Sequence, residues 1–270
     1  MADQLNSLSM AGVAASLAAA MGIEAPAQAQ PAIDQIVNMV KRGTDGGHVD
    51  RVFMYNPDAV AMWLYQKYTT LFDDVVKHTS LAVPLQTVMP SVTPVCFGTM
   101  YTGAYPAVHG IQKYEKPVIR IDTLFDALIR AGKKPVIIGD PHCSLSHIFL
   151  ERDMDYFTAD SIEAINDKAM ALIEEDKYDF YVVYNGNYDS LMHKFGPESD
   201  EAMAQLRDNV ASFDRLITAL RQKWTRHDTL FAFAMDHGCH EIDGNCGSHG
   251  LDMPEDLNIL HHYGLIPRSR

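Results

Sequence analysis

Basic residues are scarce in this chain: 22 lysines and arginines stand against 35 aspartates and glutamates, a formal net charge of -13. Proteins that grip a nucleic-acid backbone present fields of lysine and arginine, so no nucleic-acid polymer is expected as partner. Cysteine is scarce too. Cys96, Cys143, Cys239 and Cys246 form no two closely spaced pairs, which argues against an all-cysteine zinc knuckle. Cys239 and Cys246 bracket a glycine-rich turn and could approach each other, but free thiols in a reducing compartment are the expected state. Long apolar runs are missing as well. Met10 to Gly22 is apolar and alanine-rich yet too short and weak to span a bilayer. The residues before it lack lysine and arginine and include Asp3, so the signal-like Ala27-Gln28-Ala29 does not outweigh a cytoplasmic reading without a membrane partner. Residues 1–32 are expected to be a helical extension and linker, the helix packing on the domain or on a second subunit of a homo-oligomer.

What remains is ordinary globular material, 47% apolar and 21% charged, long enough for one large core. The spacing predicts a helix over 33–42, a strand over 52–55 and a helix starting in the run 59–63. Downstream come a helix over 121–131, a strand over 135–138, a helix over 160–175 and a strand over 180–184. A long helix over 200–222, with Leu206, Val210, Phe213, Leu216 and Leu220 as its inward stripe, leads to a strand over 229–234. Alternating strands and helices predict an α/β layered domain with a mainly parallel sheet, residues 33–270 forming one domain.

Acidic and imidazole residues cluster just beyond these strands. Asp58 follows the first, Asp189 and His193 follow the 180–184 strand, and Asp236 and His237 follow the last. Open α/β sheets collect their ligands at such carboxyl ends. Asp189 and His193 are four apart, so one helical turn places both on one face. Gly238 permits the turn that lets Asp236 and His237 face one site. His249, in a flexible glycine setting, can return an imidazole to it, with His240, His261 and His262 as alternatives. Thr93, near a helix start, offers a hydroxyl nucleophile, with Ser91 and Thr99 as local competitors. Carboxylate, imidazole and hydroxyl donors suit zinc or manganese, and seven such residues suffice for two adjacent ions of the kind used in phosphoryl transfer.

Four segments then match in order. Pro90 to Ile111, ending Thr102-Gly103-Ala104-Tyr105-Pro106-Ala107-Val108-His109-Gly110-Ile111, is followed by Asp189 to Pro197, Asp236 to Gly238 and Ser248 to Gly250. Over about residues 50–265 the chain resembles the alkaline phosphatase superfamily in its type I phosphodiesterase / nucleotide pyrophosphatase branch. The resemblance implies a three-layer α/β/α alkaline-phosphatase-like core with a small cap drawn from residues 139–157 and 239–256. It implies two Zn2+ per chain, with Mn2+ or another divalent metal as the alternative. Asp58, Thr93, Asp236 and His237 would hold one ion and Asp189, His193 and His249 the other. Thr93 would attack a small-molecule phosphoester or nucleotide and form a covalent phospho-threonine.

The sequence departs from the family pattern in two places. Cys96 stands where an asparagine usually contacts a phosphoryl oxygen, and Ala59 stands where glycine is typical after the first metal aspartate. Cys96, Phe97 and Tyr188 are the expected substrate contacts, and Tyr55, Phe195 and Tyr263 are further aromatic candidates. His109 is expected to support its loop. Phosphodiester or nucleotide pyrophosphate hydrolysis is the primary expectation. A phosphomonoesterase, phosphonate hydrolase or phosphotransferase is the alternative within the superfamily, and a metal-stabilised interaction protein is the alternative outside it. A sulfatase is disfavoured because no Cys/Ser-x-Pro-x-Arg signature surrounds Thr93.

Overall fold

The apolar runs assemble into one seven-stranded sheet in a computed structural model that describes residues 4–269. Asp3 lies outside the described residues. In chain order the strands are β1 (Arg51–Pro57), β2 (Leu81–Gln86), β3 (Pro135–Gly139), β4 (Asp155–Thr158), β5 (Phe180–Asn185), β6 (Thr229–Phe233), β7 (His240–Ile242), β8 (Cys246–Ser248) and β9 (Asn258–Ile266). The large sheet runs β2-β9-β6-β1-β5-β3-β4, and β7 with β8 forms a separate hairpin. Pairing is parallel from β6 through β4 and antiparallel where β9 meets β6 and β2. Every residue of β1, β3, β5 and β6 is buried, as expected when helices cover both faces of a parallel sheet. The α/β expectation holds.

The long helices follow their sequence signals. The stripe Leu206, Val210, Phe213, Leu216 and Leu220 is buried in the helix Asp200–Lys223, and the Ser199 hydroxyl caps its start by accepting from Ala202 N at 3.2 Å. Ser161 does the same for Ala164, so that helix begins at Ile162 rather than 160. After β1 the helix starts only at Met62, because Ala59 takes a left-handed φ of 61° and turns the chain first.

Strands β2, β4 and β9 were not expected from the sequence. The paired histidines His261 and His262 interrupt the apolar run of β9, and β4 is an edge strand with partly exposed positions throughout. The amino-terminal helix packs on the domain. The helix Val13–Ala20 is apolar on every side, and Val13, Ala14, Leu17 and Ala18 are fully buried inside the domain. Ser16 locks it in place, donating to Gly12 O at 2.6 Å and accepting from Ile33 N at 2.7 Å. This helix therefore takes the first of its two expected positions, packed on the domain as part of its core. Among the described residues, no helix is long and apolar enough to cross a membrane.

Candidate active site

The carboxyl ends of β1, β5 and β6 lie side by side, and Asp58, Asp189 and Asp236 follow directly from them. Asp58 N donates to Asn185 O at 3.0 Å, which ties the end of β1 to the end of β5. Ala59 N donates to Asp236 Oδ1 at 3.1 Å, so the left-handed turn after β1 also fixes the carboxylate after β6. Such a conformation at a residue with a side chain costs about 1–3 kcal/mol and persists only where its surroundings hold it.

Thr93 is the first residue of the buried helix Thr93–Thr102. Its hydroxyl caps nothing in that helix. It donates to Asp58 Oδ2 at 3.3 Å and lies 3.3 Å from His237 Nε2. His237 Nε2 is in turn 3.3 Å from Asp58 Oδ1 and 3.3 Å from Asp236 Oδ2. Beside this group stands a second. His193 and His249 bring their Nε2 atoms to 3.0 Å, and each lies close to Asp189 Oδ1, at 3.3 and 3.4 Å. The rings of His237 and His249 are 4.0 Å apart between centroids, so the two groups adjoin.

Three observations bear on what these groups can hold. Each imidazole turns Nδ1 to a backbone carbonyl: His237 to Gly238, His193 to Gly247 and His249 to Ser91, at 2.9–3.0 Å. A carbonyl can only accept, so Nδ1 carries a proton and each ring, when neutral, turns its Nε2 lone pair to the site. Asp58 Oδ1, Asp236 Oδ2 and Asp189 Oδ1 are buried without a hydrogen-bond partner. Finally, two donors bound at about 2.0–2.1 Å to one tetrahedral zinc lie about 3.3 Å apart, which matches the separations above. The groups fit divalent cations, as two neighbouring sets: Asp58, Asp236 and His237, and Asp189, His193 and His249.

Electrostatics agree. Burial, then the charge of Asp189, raises the Asp58 carboxyl above its usual range, and burial with the charge of Asp58 raises Asp236 well above it. Burial would raise Asp189 as well, but His193 and His249 outweigh it and hold that carboxyl below its usual range. His193 is raised in turn to about 8, chiefly by Asp189.

The competitors have other partners. Thr99 is buried and accepts from His109 Nε2 at 3.0 Å, while His109 Nδ1 accepts from Ile111 N at 3.3 Å. His109 thus braces its loop, and burial lowers it to about 4. Ser91 lends its carbonyl to His249. His240 pairs with Asp256 at 2.7 Å, His261 bonds Met235 O, and His262 packs on the Tyr65 ring. All four cysteines are free.

The three expected substrate contacts do not face the cavity. Cys96 is fully buried and accepts from the Thr87 hydroxyl at 3.1 Å. Phe97 packs between Tyr101 and Tyr184, and Tyr188 donates to Pro197 O inside the core. The helix Thr93–Thr102 is buried along its whole length, which encloses Cys96 and Phe97, and Tyr188 is buried in the helix Asn187–Phe195. Tyr55 and Tyr263 are buried as well.

The cavity of about 330 Å³ beside Thr93 is lined instead by Tyr114, Lys116, His142, Ser144, Tyr184 and Asn187 among others, so part of segment 139–157 does border it. Tyr184, whose hydroxyl donates to Asp58 Oδ2, was hidden as one more apolar strand residue. Asp256 was missed too. Fully buried, it accepts from His240 and from Leu251 N, and its own carbonyl accepts from Gly238 N.

The sequence profile described as type I phosphodiesterase / nucleotide pyrophosphatase matches residues 56–118 and 136–261. Murine ectonucleotide pyrophosphatase / phosphodiesterase 5 has a similar fold, with a TM-score of 0.57 and 16% identity over 72% of this chain and 58% of that one. The human protein of the same name gives 0.58 and 16% over 71% of this chain and 58% of that one. The chain thus spans 58% of the length of these two solved structures. No curated protein matches it.

Proposed function

This chain belongs to the type I phosphodiesterase / nucleotide pyrophosphatase family, and from that premise we propose that it is a two-metal hydrolase of small phosphoesters. Phosphodiester or nucleotide pyrophosphate bonds are its targets, and the cytoplasm is its proposed location. The observation that carries the reading is the pair of adjoining ligand sets with the Thr93 hydroxyl on one of them. Two divalent cations, zinc in the first instance, would lower the pKa of the Thr93 hydroxyl and neutralise charge on the phosphoryl oxygens.

The chain's own residues do the rest. Asp58 orients the Thr93 hydroxyl, and Tyr184 orients Asp58. The dipole at the amino-terminal end of the helix Thr93–Thr102 favours negative charge at Thr93 Oγ1. Thr93 Oγ1 gives its proton to solvent and bonds to phosphorus as the bond to the leaving oxygen breaks, and that oxygen takes a proton from solvent. Water then attacks the phospho-threonine from the side of Asp189, His193 and His249. The Oγ1–phosphorus bond breaks, and the hydroxyl regains its proton.

The test combines metal analysis with phosphopeptide mapping after rapid quenching. About two metals per chain and a label on Thr93 are expected. A single ion, or a label on Ser91 or Thr99, would overturn the reading.

A further inference from the structure

The cavity beside Thr93 is bordered by residues of two segments, 112–117 and 140–148. Lys116 ties them together: its Nζ donates to His142 O at 2.6 Å and lies 5.6 Å from the centroid of the Tyr114 ring. Tyr114 is thereby held at the cavity although the residue as a whole is 62% exposed. Its phenol nevertheless feels the interior. Burial, then the charges of Asp58 and Asp189, raises it above the usual tyrosine range, and the hydroxyl of the buried Ser144 acts the other way. Tyr114, Asp58, Thr93 and Asp189 border one space, so the phenol shares a cavity with residues of both ligand sets.

A phosphoryl group bound there needs donors for its non-bridging oxygens. The thiol of Cys96 cannot serve, because it is buried in the core against Thr87. We infer that Tyr114 donates to a non-bridging oxygen of the bound phosphoryl group. Lys116 acts as the strut that keeps Tyr114 at the cavity. This assignment rests on the phosphoester reading above and adds a substrate-binding residue to it.

Tyr114→Phe separates the hydroxyl from the ring, and the exposure of the residue makes the substitution harmless to folding. Two measurements are needed on the metal-loaded protein: kcat/KM for a nitrophenyl and an alkyl phosphodiester, and the affinity for orthovanadate. Tyr114→Phe is expected to lower kcat/KM about 10- to 100-fold for both esters and to weaken vanadate by a similar factor. Tyr114→Ala should add little further loss.

Wild-type turnover with Tyr114→Phe unchanged, or a loss seen only in Tyr114→Ala, would overturn the donor role in favour of ring packing and leave the hydrolase reading intact. Absence of wild-type turnover, with vanadate bound and weakened by Tyr114→Phe, would remove the hydrolase reading and keep the donor. If neither protein binds vanadate, both fall.

Discussion

Tyr184→Phe tests how the first ligand set is built. The Tyr184 hydroxyl donates to Asp58 Oδ2, which also accepts from Thr93, while Oδ1 faces His237 without a hydrogen-bond partner. Removing the hydroxyl leaves the ring in its edge contact with Phe97, 5.7 Å between centroids, so packing survives. The fold should lose only one hydrogen bond, about 1 kcal/mol net, a fall in Tm of about 2–4 °C. Metal affinity should change more. Groups that orient a ligand typically contribute 10- to 100-fold in affinity, about 1.4–2.7 kcal/mol. Asp58 belongs to one set only, so one of two zinc-binding steps should weaken while the stoichiometry stays at two. Competition against a chromophoric chelator resolves the two steps. Equal affinities in wild type and variant, or weakening of the step assigned to Asp189, His193 and His249, would refute the reasoning.

Thr93→Ala should lower turnover by at least about 10³-fold while zinc content and Tm stay near wild type, since it removes the attacking oxygen from an otherwise intact site; steady-state kinetics and metal analysis check both halves. Asp236→Ala should weaken zinc at one site and remove the acceptor that holds the Ala59 amide in its left-handed turn, costing about 1–3 kcal/mol in urea unfolding. A third outcome concerns acid. Burial lowers His262 to about 4, and its Nε2 has no partner. A neutral buried imidazole contributes stability that is present above the unfolded value near 6.5 and lost as pH falls through about 4. His262→Phe should therefore gain stability relative to wild type progressively between about pH 6.5 and 4; a pH-independent difference in Tm would argue against it.

Much of this molecule was legible in its sequence because parallel strands buried on both faces read as continuous apolar runs. β1, β5 and β6 were found that way, and the acids beyond them are the residues the structure gathers. β9 was not legible, because His261 and His262 look like ligands when their buried partners are unseen. The helix Val13–Ala20 looked peripheral because small residues give no clear stripe, and the same uniformity lets it be buried on all sides. Cys96 and Phe97 were expected at the substrate because they follow Thr93 closely. Three and four residues onward, spacing alone keeps both side chains on the face of Thr93, but the helix is buried along its whole length and the neighbouring elements enclose them.

The same logic explains why the site's support was harder to read than its ligands. An aspartate after a strand is visible as a polar residue ending an apolar run, whereas Tyr184 and Asp256 act through partners distant in sequence. Three buried carboxylate oxygens face inward without a hydrogen bond, and their protons are favoured by burial and mutual repulsion at Asp58 and Asp236. A fold keeps such costly groups only where surrounding contacts hold them. Here those contacts are the Ala59 amide on Asp236, the Tyr184 phenol on Asp58 and three carbonyls on three imidazoles. Each fixes a direction rather than adding packing. The site is thus set by four backbone groups and one phenol, and substitutions that leave every ligand in place can still disable it.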